Sequence, residues 1–227
     1  MRCIREFLVT GFLALGALQG AAADEMTFRL VPMDDPARCG TKCVRVISAE
    51  GEIASSTPEK FVQFIRQNIR DKSVRSVVFL HSPGGKVVAS MELGMALRKL
   101  GAATVVARVI PSEPGSGRAA WFASARCFSA CAYALMGGKK RVVPPQSFVG
   151  IHRMFMLEAR RDPDSVSGQS LNKVFADDDL VGSLSKYAHM MGISNELVRT
   201  AESTNPERVH IVSPRELKAW RLGSTKF

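Results

Sequence analysis

The stretch ARCFSACAYALMGG, residues 125–138, places one serine, Ser129, midway between Cys127 and Cys131 and continues as an apolar run that two glycines close. Its composition predicts a short buried helix that stops at the glycines. A serine at a crowded helix start is often only a cap, and buried thiols can pack like small apolar side chains. The alternative is a hydroxyl held rigid by a disulfide that spans it, which requires Cys127 to lie just outside the helix.

Strand patterns lie on both sides of this stretch. The segment VRSVVFLHS (74–82) is a near-continuous apolar strand, typical of a parallel sheet buried on both faces, and it ends at the turn PGG (83–85). The segment ATVVARVI (103–110) predicts another strand, and SFVGIH (147–152) predicts one that ends on His152.

Helical patterns alternate with these strands. An early strand, CVRVISAEGEI (43–53), precedes a helix over 56–70 with Pro58 at its first position, and a second helix over 86–100 stops at Gly101. Repeated alternation of strand and helix implies parallel strands joined by right-handed crossovers. The fold class is therefore α/β.

Beyond His152 the pattern becomes helical. The stretch QSLNKVFADDDLVGSLSKYAHMMG (169–192) predicts one helix and SNELVRTAEST (194–204) a second. Ser213 and Glu216 have the spacing of a capping box that starts a last helix. We therefore expect one α/β core with a C-terminal helical extension.

The beginning of the chain reads as a secretory signal peptide. Arg2 and Arg5 precede the apolar run FLVTGFLALGAL, and GAAA offers a small-residue cleavage site. An uncleaved membrane anchor is the alternative, but the run is shorter than the roughly 20 residues that a spanning helix needs. The predicted organisation is a signal peptide at 1–23, an N-terminal segment at 24–42 and one domain at 43–227.

The net charge is strongly positive. Removal of residues 1–23 takes away two arginines and one glutamate, so the formal charge falls from +10 to +9. A basic surface can meet nucleic acid, anionic lipid or acidic polymers. The lysines and arginines are scattered, however, with no basic stripe interleaved with aromatic residues, so we expect no nucleic-acid partner.

The cysteines favour an oxidising compartment. Four remain after cleavage of the signal peptide, and an even number in an exported chain predicts disulfides with three possible connectivities. Two C-x3-C pairs also fit a four-thiolate zinc site, although zinc pairs are more often spaced C-x2-C. The preferred connectivity is local and pairs Cys39 with Cys43 and Cys127 with Cys131.

Three of these elements occur in a telling order: a strand ending in HSPGG, a serine in a small-residue helix start followed by GG, and a strand ending in IH. This order resembles the Clp protease proteolytic subunit and its crotonase-fold relatives. It is most similar to exported Clp-protease-like proteins with a C-x-S-x-C element. The resemblance covers about residues 43–222 and implies a core of repeated ββα units wound into a spiral, as well as assembly into a homo-oligomer.

The resemblance also implies site residues. Ser129 matches the family's nucleophile and His152 its general base, while the backbone amides of Gly85 and Ala130 match its oxyanion hole. The chemistry is consistent, because a serine hydroxyl needs a neighbouring base and the developing oxyanion needs fixed donors. No metal or organic cofactor is implied.

The family's orienting acid is missing from its usual place. Aligning IVSPREL on the family pattern puts Val209 where the acidic residue would stand. Several nearby polar residues could substitute, and the sequence does not choose among Asn205, Glu207, Glu202 and Asp177–Asp179.

These patterns predict an exported serine hydrolase, periplasmic or secreted, that acts as a peptidase on peptide or protein substrates and has no membrane span after cleavage. The alternative is a catalytically silent Clp-like binding or assembly module. A serine–lysine peptidase with Lys139 or Lys140 as base is a further rival, whereas export away from coenzyme A argues against a crotonase-type enzyme. His81, beside the glycine turn, is expected to have a structural role.

Overall fold

The structure, a computed structural model, describes residues 24–68, 70–161, 163–166 and 168–226. The predicted signal peptide, residues 1–23, lies outside these ranges. Within them, no helix is both long enough and apolar enough to cross a membrane.

The N-terminal segment forms one edge of the main sheet. Strand β1 (Thr27–Pro32) pairs antiparallel with β2 (Arg45–Glu50). A short helix α1 (Pro36–Cys39) and a 3-10 turn (Gly40–Lys42) connect the two strands. The segment before residue 43 is therefore part of the sheet rather than a separate tail.

The predicted alternation of strands and helices builds the rest of this sheet. The elements that follow β2 are α2 (Thr57–Asn68), β3 (Val74–His81), α3 (Val87–Leu100), β4 (Ala103–Val105) and, later in the chain, β8 (Lys140–Val142). The five strands lie in the order β1-β2-β3-β4-β8, and all neighbours from β2 to β8 are parallel. The α/β fold class is confirmed.

The predicted single strand over 103–110 is wrong. It divides into β4 and a separate strand β5 (Arg108–Ile110), which pairs antiparallel with β6 (Trp121–Ala123). Val106 and Ala107 are fully buried at the break, so the apolar run is continuous although the strand is not.

The serine stretch begins with a strand that the sequence analysis did not predict. Strand β7 (Arg126–Phe128) precedes helix α4 (Cys131–Met136), and β9 (Phe148–Ile151) pairs parallel with β7. A two-residue strand β12 (His210–Ile211) completes a three-stranded sheet in the order β12-β9-β7.

The helical prediction after His152 holds only in part. Strands β10 (Phe155–Arg161) and β11 (Gln169–Phe175) form an antiparallel hairpin, most of which is exposed. Helix α5 (Asp178–Met190) starts only after it, with Asp177 accepting a hydrogen bond from a backbone amide of its first turn. The first third of the predicted helix is therefore a strand.

The last helices follow the prediction. Helix α6 (Glu196–Ser203) lies within the predicted second helix. Helix α7 (Pro214–Ala219) starts with the capping box, in which the Ser213 side chain accepts from the Glu216 amide and the Glu216 carboxylate accepts from the Ser213 amide.

Both disulfides are local, as predicted. Cys39 is bonded to Cys43 and Cys127 to Cys131, each across a sequence separation of 4. The thiols are therefore not available as the four thiolates of a zinc site.

Helices α3 and α4 cross at two glycines. A Cβ atom on Gly137 would lie 2.1 Å from the carbonyl oxygen of Gly94, and one on Gly94 would lie 1.9 Å from the Tyr187 hydroxyl. That hydroxyl donates a hydrogen bond of 2.8 Å to the carbonyl of Tyr133 in α4. The close crossing fixes α4, and with it the turn that carries Ser129.

We expect Gly137→Ala to lower the free energy of unfolding by about 2 kcal/mol, because the new methyl group must displace backbone atoms in a packed crossing. Gly182→Ala in α5 is the matched control, since a Cβ there meets nothing within 4 Å. The control should raise the free energy of unfolding by about 0.5 to 1 kcal/mol through helix propensity. Urea unfolding measures the free energy of unfolding of both variants. Equal changes in Gly137→Ala and Gly182→Ala would contradict the tight packing of α3 on α4 at Gly137.

Candidate active site

Ser129 stands on a strained turn between a strand and a helix. It directly follows β7, and its φ of 54° is in the left-handed region that residues other than glycine rarely adopt. Its amide donates a hydrogen bond of 2.7 Å to the carbonyl of Gly150 in β9. Backbone strain of this kind persists only where the surroundings impose it, and it often occurs at functional sites.

The glycine turn after β3 is joined to the serine strand through Ser82. The buried Ser82 donates its amide to the Arg126 carbonyl at 2.9 Å, and its carbonyl accepts from the Phe128 amide at 3.1 Å. Its side chain accepts from the Gly84 amide at 3.1 Å. The sequence analysis did not single out Ser82, although its position in HSPGG was the available signal.

The glycine turn packs directly against the serine. A Cβ atom on Gly84 would lie 2.8 Å from the Ser129 Cβ and 2.8 Å from the Phe128 carbonyl oxygen. On Gly85 it would lie 2.2 Å from the carbonyl oxygen of Ile53. Both glycines have positive φ, 117° and 133°. The two glycines therefore bring backbone, rather than side chains, next to Ser129.

Two backbone amides beside the serine have no acceptor within the described chain, those of Gly85 and Ala130. The amides on either side of Gly85 both have acceptors: the Gly84 amide donates to the Ser82 side chain and the Lys86 amide to the Ile53 carbonyl. Backbone amides that lack an intramolecular acceptor are the donors that an oxyanion hole requires.

His152 reaches the same edge through the neighbouring strand. It directly follows β9, in which Gly150 is the register partner of Phe128 in β7. Because β7 and β9 are parallel, Ser129 and His152 both follow the carboxyl ends of adjacent strands. The topology thus brings to one edge two residues that are 23 positions apart in the sequence.

A backbone carbonyl defines the tautomer of His152. The ring Nδ1 lies 2.8 Å from the carbonyl oxygen of Arg153. A carbonyl can only accept, so Nδ1 carries the proton and Nε2 of the neutral ring is left as an acceptor. That is the form in which an imidazole can take a proton from a hydroxyl.

Within the residues that the structure describes, no hydrogen bond joins the Ser129 hydroxyl to His152. Catalytic hydrogen bonds often tighten only when substrate is bound. Ser129 and His152 therefore lie at one edge of the sheet, but no hydrogen bond joins their side chains in the described chain.

Most of the candidate orienting acids have other roles. Val209, at the family's acid position, packs its side chain near Gly150, where it would lie 2.4 Å from an added Cβ. The Asn205 side chain accepts from the Glu207 amide at 2.8 Å, and the exposed Glu207 carboxylate pairs with Lys173.

The acidic triplet before α5 is also accounted for. Asp177 caps the helix by accepting from the Leu180 amide at 2.8 Å. Asp178 and Asp179 lie in its exposed first turn, which is the favourable place for negative charge on a helix.

Glu202, near the end of α6, is the acidic candidate that lies beside the histidine loop. Its Oε1 accepts a hydrogen bond of 3.3 Å from the Met154 amide, and its Oε2 lies 3.9 Å from Nε of Arg153. Burial raises the pKa of the Glu202 carboxyl, while the Met154 amide and the charges of Arg153 and His152 oppose that rise.

His81 fits the structural role that the sequence predicted. Its Nδ1 accepts a hydrogen bond of 3.3 Å from the Arg126 amide at the start of β7. Burial lowers the pKa of His81, and the charge of Arg108 lowers it further. The neutral ring therefore helps to hold β7 against β3.

The two lysines of the serine–lysine alternative follow the carboxyl end of α4, whereas Ser129 precedes its amino end. Lys140 is the first residue of β8 and pairs with Ala103, the first residue of β4, while Lys139 donates its amide to Ala102. Both are exposed and lie at the amino ends of parallel strands, whereas Ser129 follows a carboxyl end. Within the described chain, moreover, no three His, Cys, Asp or Glu residues are grouped to hold a metal ion.

The Cys127–Cys131 disulfide spans the serine turn. Cys127 lies in β7 and Cys131 is the first residue of α4, so the first cysteine is outside the helix, as an i,i+4 bridge requires. Both residues are fully buried. The bridge thus ties the strand before Ser129 to the helix after it.

No protein-family model matches this sequence, and no curated protein matches it significantly. Among solved structures, a serine-to-alanine mutant of the 1510-N membrane-bound stomatin-specific protease matches with a TM-score of 0.50 and 16% identity over 79% of this chain and 78% of that one. A lysine-to-alanine mutant of that protease in complex with a substrate peptide matches with a TM-score of 0.49 and 17% identity, over 79% of this chain and 74% of that one. The first match shows that the chain has a Clp-protease-like fold.

Replacing Cys127 and Cys131 together by alanine should lower the free energy of unfolding by about 2 kcal/mol, the loop-closure value for so short a loop. It should also speed amide exchange in the peptide spanning residues 127–131, because the turn loses its covalent tie. Replacing Cys39 and Cys43 is the control, since that bridge closes a loop of the same length. We expect the control to leave amide exchange at the serine turn unchanged. Equally faster exchange at residues 127–131 in both variants would contradict a local restraint by the Cys127–Cys131 disulfide.

Proposed function

We propose that this protein is an exported serine peptidase in which Ser129 is the nucleophile and His152 the general base. One observation carries the proposal: the strained serine turn packs on the glycine turn, and His152 follows the adjacent parallel strand. Each of the two turns contributes one backbone amide, that of Ala130 and that of Gly85, without an acceptor in the described part of the chain. The resemblance of the sequence to Clp-protease-like proteins and the likeness of the fold support the same reaction class.

The chemistry follows from these groups. Nε2 of His152 takes the proton as the Ser129 oxygen attacks a peptide carbonyl, and the amides of Gly85 and Ala130 stabilise the oxyanion, each by about 3 kcal/mol. His152 then gives the proton to the leaving amine, the C–N bond breaks, and an acyl-enzyme remains. Water activated by the same ring hydrolyses the ester and regenerates the serine.

The Arg153 carbonyl supports the proposal in the absence of an aspartate. An orienting acid normally holds the ring through Nδ1 and fixes the tautomer. Here the 2.8 Å contact with the carbonyl supplies the tautomer, although it supplies no full negative charge.

The compartment that we propose is the periplasm or the exterior of the cell. Two disulfides are typical of an oxidising environment. In this account residues 1–23 are a cleaved signal peptide. The segment at 24–42, which contributes β1 to the main sheet, and the domain at 43–227 remain, with no membrane span. The substrate is a peptide or an unfolded protein; neither nucleic acid nor a cofactor takes part.

Labelling with a fluorophosphonate, in which a serine oxygen displaces fluoride from phosphorus, tests the activated serine. We expect the mature protein to be labelled and Ser129→Ala to abolish labelling. His152→Ala should slow it by at least about 100-fold, within the range of general base catalysis. His189→Ala, a variant of an exposed histidine in α5, is the control and should label normally.

Absence of labelling in folded mature protein would contradict the peptidase and favour the silent binding module. Labelling that survives in His152→Ala and is lost in a lysine variant would favour the serine–lysine alternative.

We also propose that copies of the chain associate through the β10–β11 hairpin. A two-stranded hairpin is marginally stable alone, and Leu157 and Leu171 are 56% and 68% exposed on the same face of this one. A shared face of apolar side chains is typical of a protein contact surface.

Leu171→Asp should therefore shift the mature protein to smaller assemblies in size-exclusion chromatography with light scattering. Asn172→Asp adds the same charge to the opposite face of the hairpin and should leave the mass unchanged. A monomeric wild type, or an unaffected Leu171→Asp assembly, would rule out this contact.

A further inference from the structure

We propose that Glu202 is the positioning residue for His152, supplying from helix α6 the negative charge that the family's acid position lacks. This inference rests on the proposed function, since it assigns a role to Glu202 in the Ser129–His152 reaction. It places the charge on a different element from the family's acid position, where Val209 stands just before β12.

The end of α6 is fastened to the loop that carries the histidine. The Arg153 amide donates a hydrogen bond of 3.0 Å to the carbonyl of Thr204, just beyond the helix, and the Met154 amide donates one of 3.3 Å to Glu202. The two residues after His152 are thus held by two residues at or just beyond the end of α6, Glu202 and Thr204. A substitution at Glu202 that removes the acceptor of the Met154 amide will therefore change the position of the loop that carries the His152 ring.

Glu202 is buried enough for its charge to matter. Its side chain is only 14% exposed, compared with 70% for Glu207, five residues later. An ion pair between exposed side chains is strongly screened, whereas a carboxylate in a less polar setting acts over a longer distance. Two groups that can carry positive charge, Arg153 and His152, lower the pKa of the Glu202 carboxyl against the effect of burial.

Another group close enough to interact with Glu202 is neutral. Tyr133 in α4 is fully buried, and its hydroxyl has no hydrogen-bond partner within the described chain. Burial, together with the charge of Glu202, raises the pKa of Tyr133. The phenol therefore stays protonated and adds no charge that would compete with the histidine.

These contacts give Glu202 a defined part in the reaction. When His152 takes the serine proton it becomes positively charged, and a nearby carboxylate stabilises that form relative to the neutral ring. Arg153 opposes this effect but is itself paired with Glu202 at 3.9 Å and lies at 4.4 Å from the ring centre of Phe175. The Arg153 carbonyl fixes the tautomer, and Glu202 stabilises the charge.

Glu202→Gln removes the charge and keeps an oxygen that can accept from Met154. We expect the fluorophosphonate labelling rate to fall by about tenfold on its high-pH plateau. The midpoint of the rate against pH should move to lower pH, because the carboxylate no longer stabilises the protonated ring. Glu202→Asp, which restores the charge, should recover most of both effects.

Glu207→Gln is the matched control, since it removes an exposed carboxylate close by on the chain. It should change neither the plateau nor the midpoint. If Glu202 only held the Met154 amide, Glu202→Gln, which keeps an acceptor for that amide, would change neither the plateau nor the midpoint, and that result would overturn the proposal.

An NMR titration of the His152 ring protons, assigned with His152→Gln, makes the test independent of activity. The titration midpoint should also move to lower pH in Glu202→Gln. A shift without any labelling of the wild type would leave the charge coupling intact and refute the peptidase. Normal labelling of the wild type, with no shift of the His152 midpoint in Glu202→Gln, would refute only the role of Glu202 and leave the peptidase intact.

Discussion

The parallel pairing of β7 with β9 and with Ser82 is the constraint on which the site depends. Ser82 bridges β7 to the main sheet through two backbone hydrogen bonds, and β9 accepts the Ser129 amide on the other side. A three-residue strand held on both sides leaves its next residue little freedom, and Ser129 accordingly takes up a φ that its type normally avoids. The glycine turn, Ser129 and His152 lie at one edge because each follows the carboxyl end of its strand there.

Much of this arrangement could be predicted from local sequence. Strand β3 is a long apolar run, helices α2 and α3 have a helical pattern with clear stop signals, and the capping box of α7 is a short-range signal. Ser129, His152 and the two oxyanion-hole glycine and alanine positions were inferred from the order of motifs, and the structure places all four at one edge. Their catalytic roles remain part of the proposal.

The rest could not be predicted, for physical reasons. Strands β6 and β7 have three residues each and are too short to show a period, so only tertiary pairing defines them. The β10–β11 hairpin is mostly exposed and lacks the buried alternation that would distinguish a strand from a helix. Glu202 could not be chosen over other acids, because its proximity to His152 depends on how the end of α6 packs on the loop after β9.

The central claim is that Ser129 is an activated nucleophile with a backbone oxyanion hole. A crystal structure of the mature protein after reaction with a fluorophosphonate tests it most directly. The account predicts a phosphorus atom bonded to Oγ of Ser129 and a phosphoryl oxygen roughly 2.7–3.1 Å from the amides of Gly85 and Ala130. It also predicts that Nε2 of His152 faces the adduct. An adduct on another side chain, or a phosphoryl oxygen turned away from both amides, would contradict it.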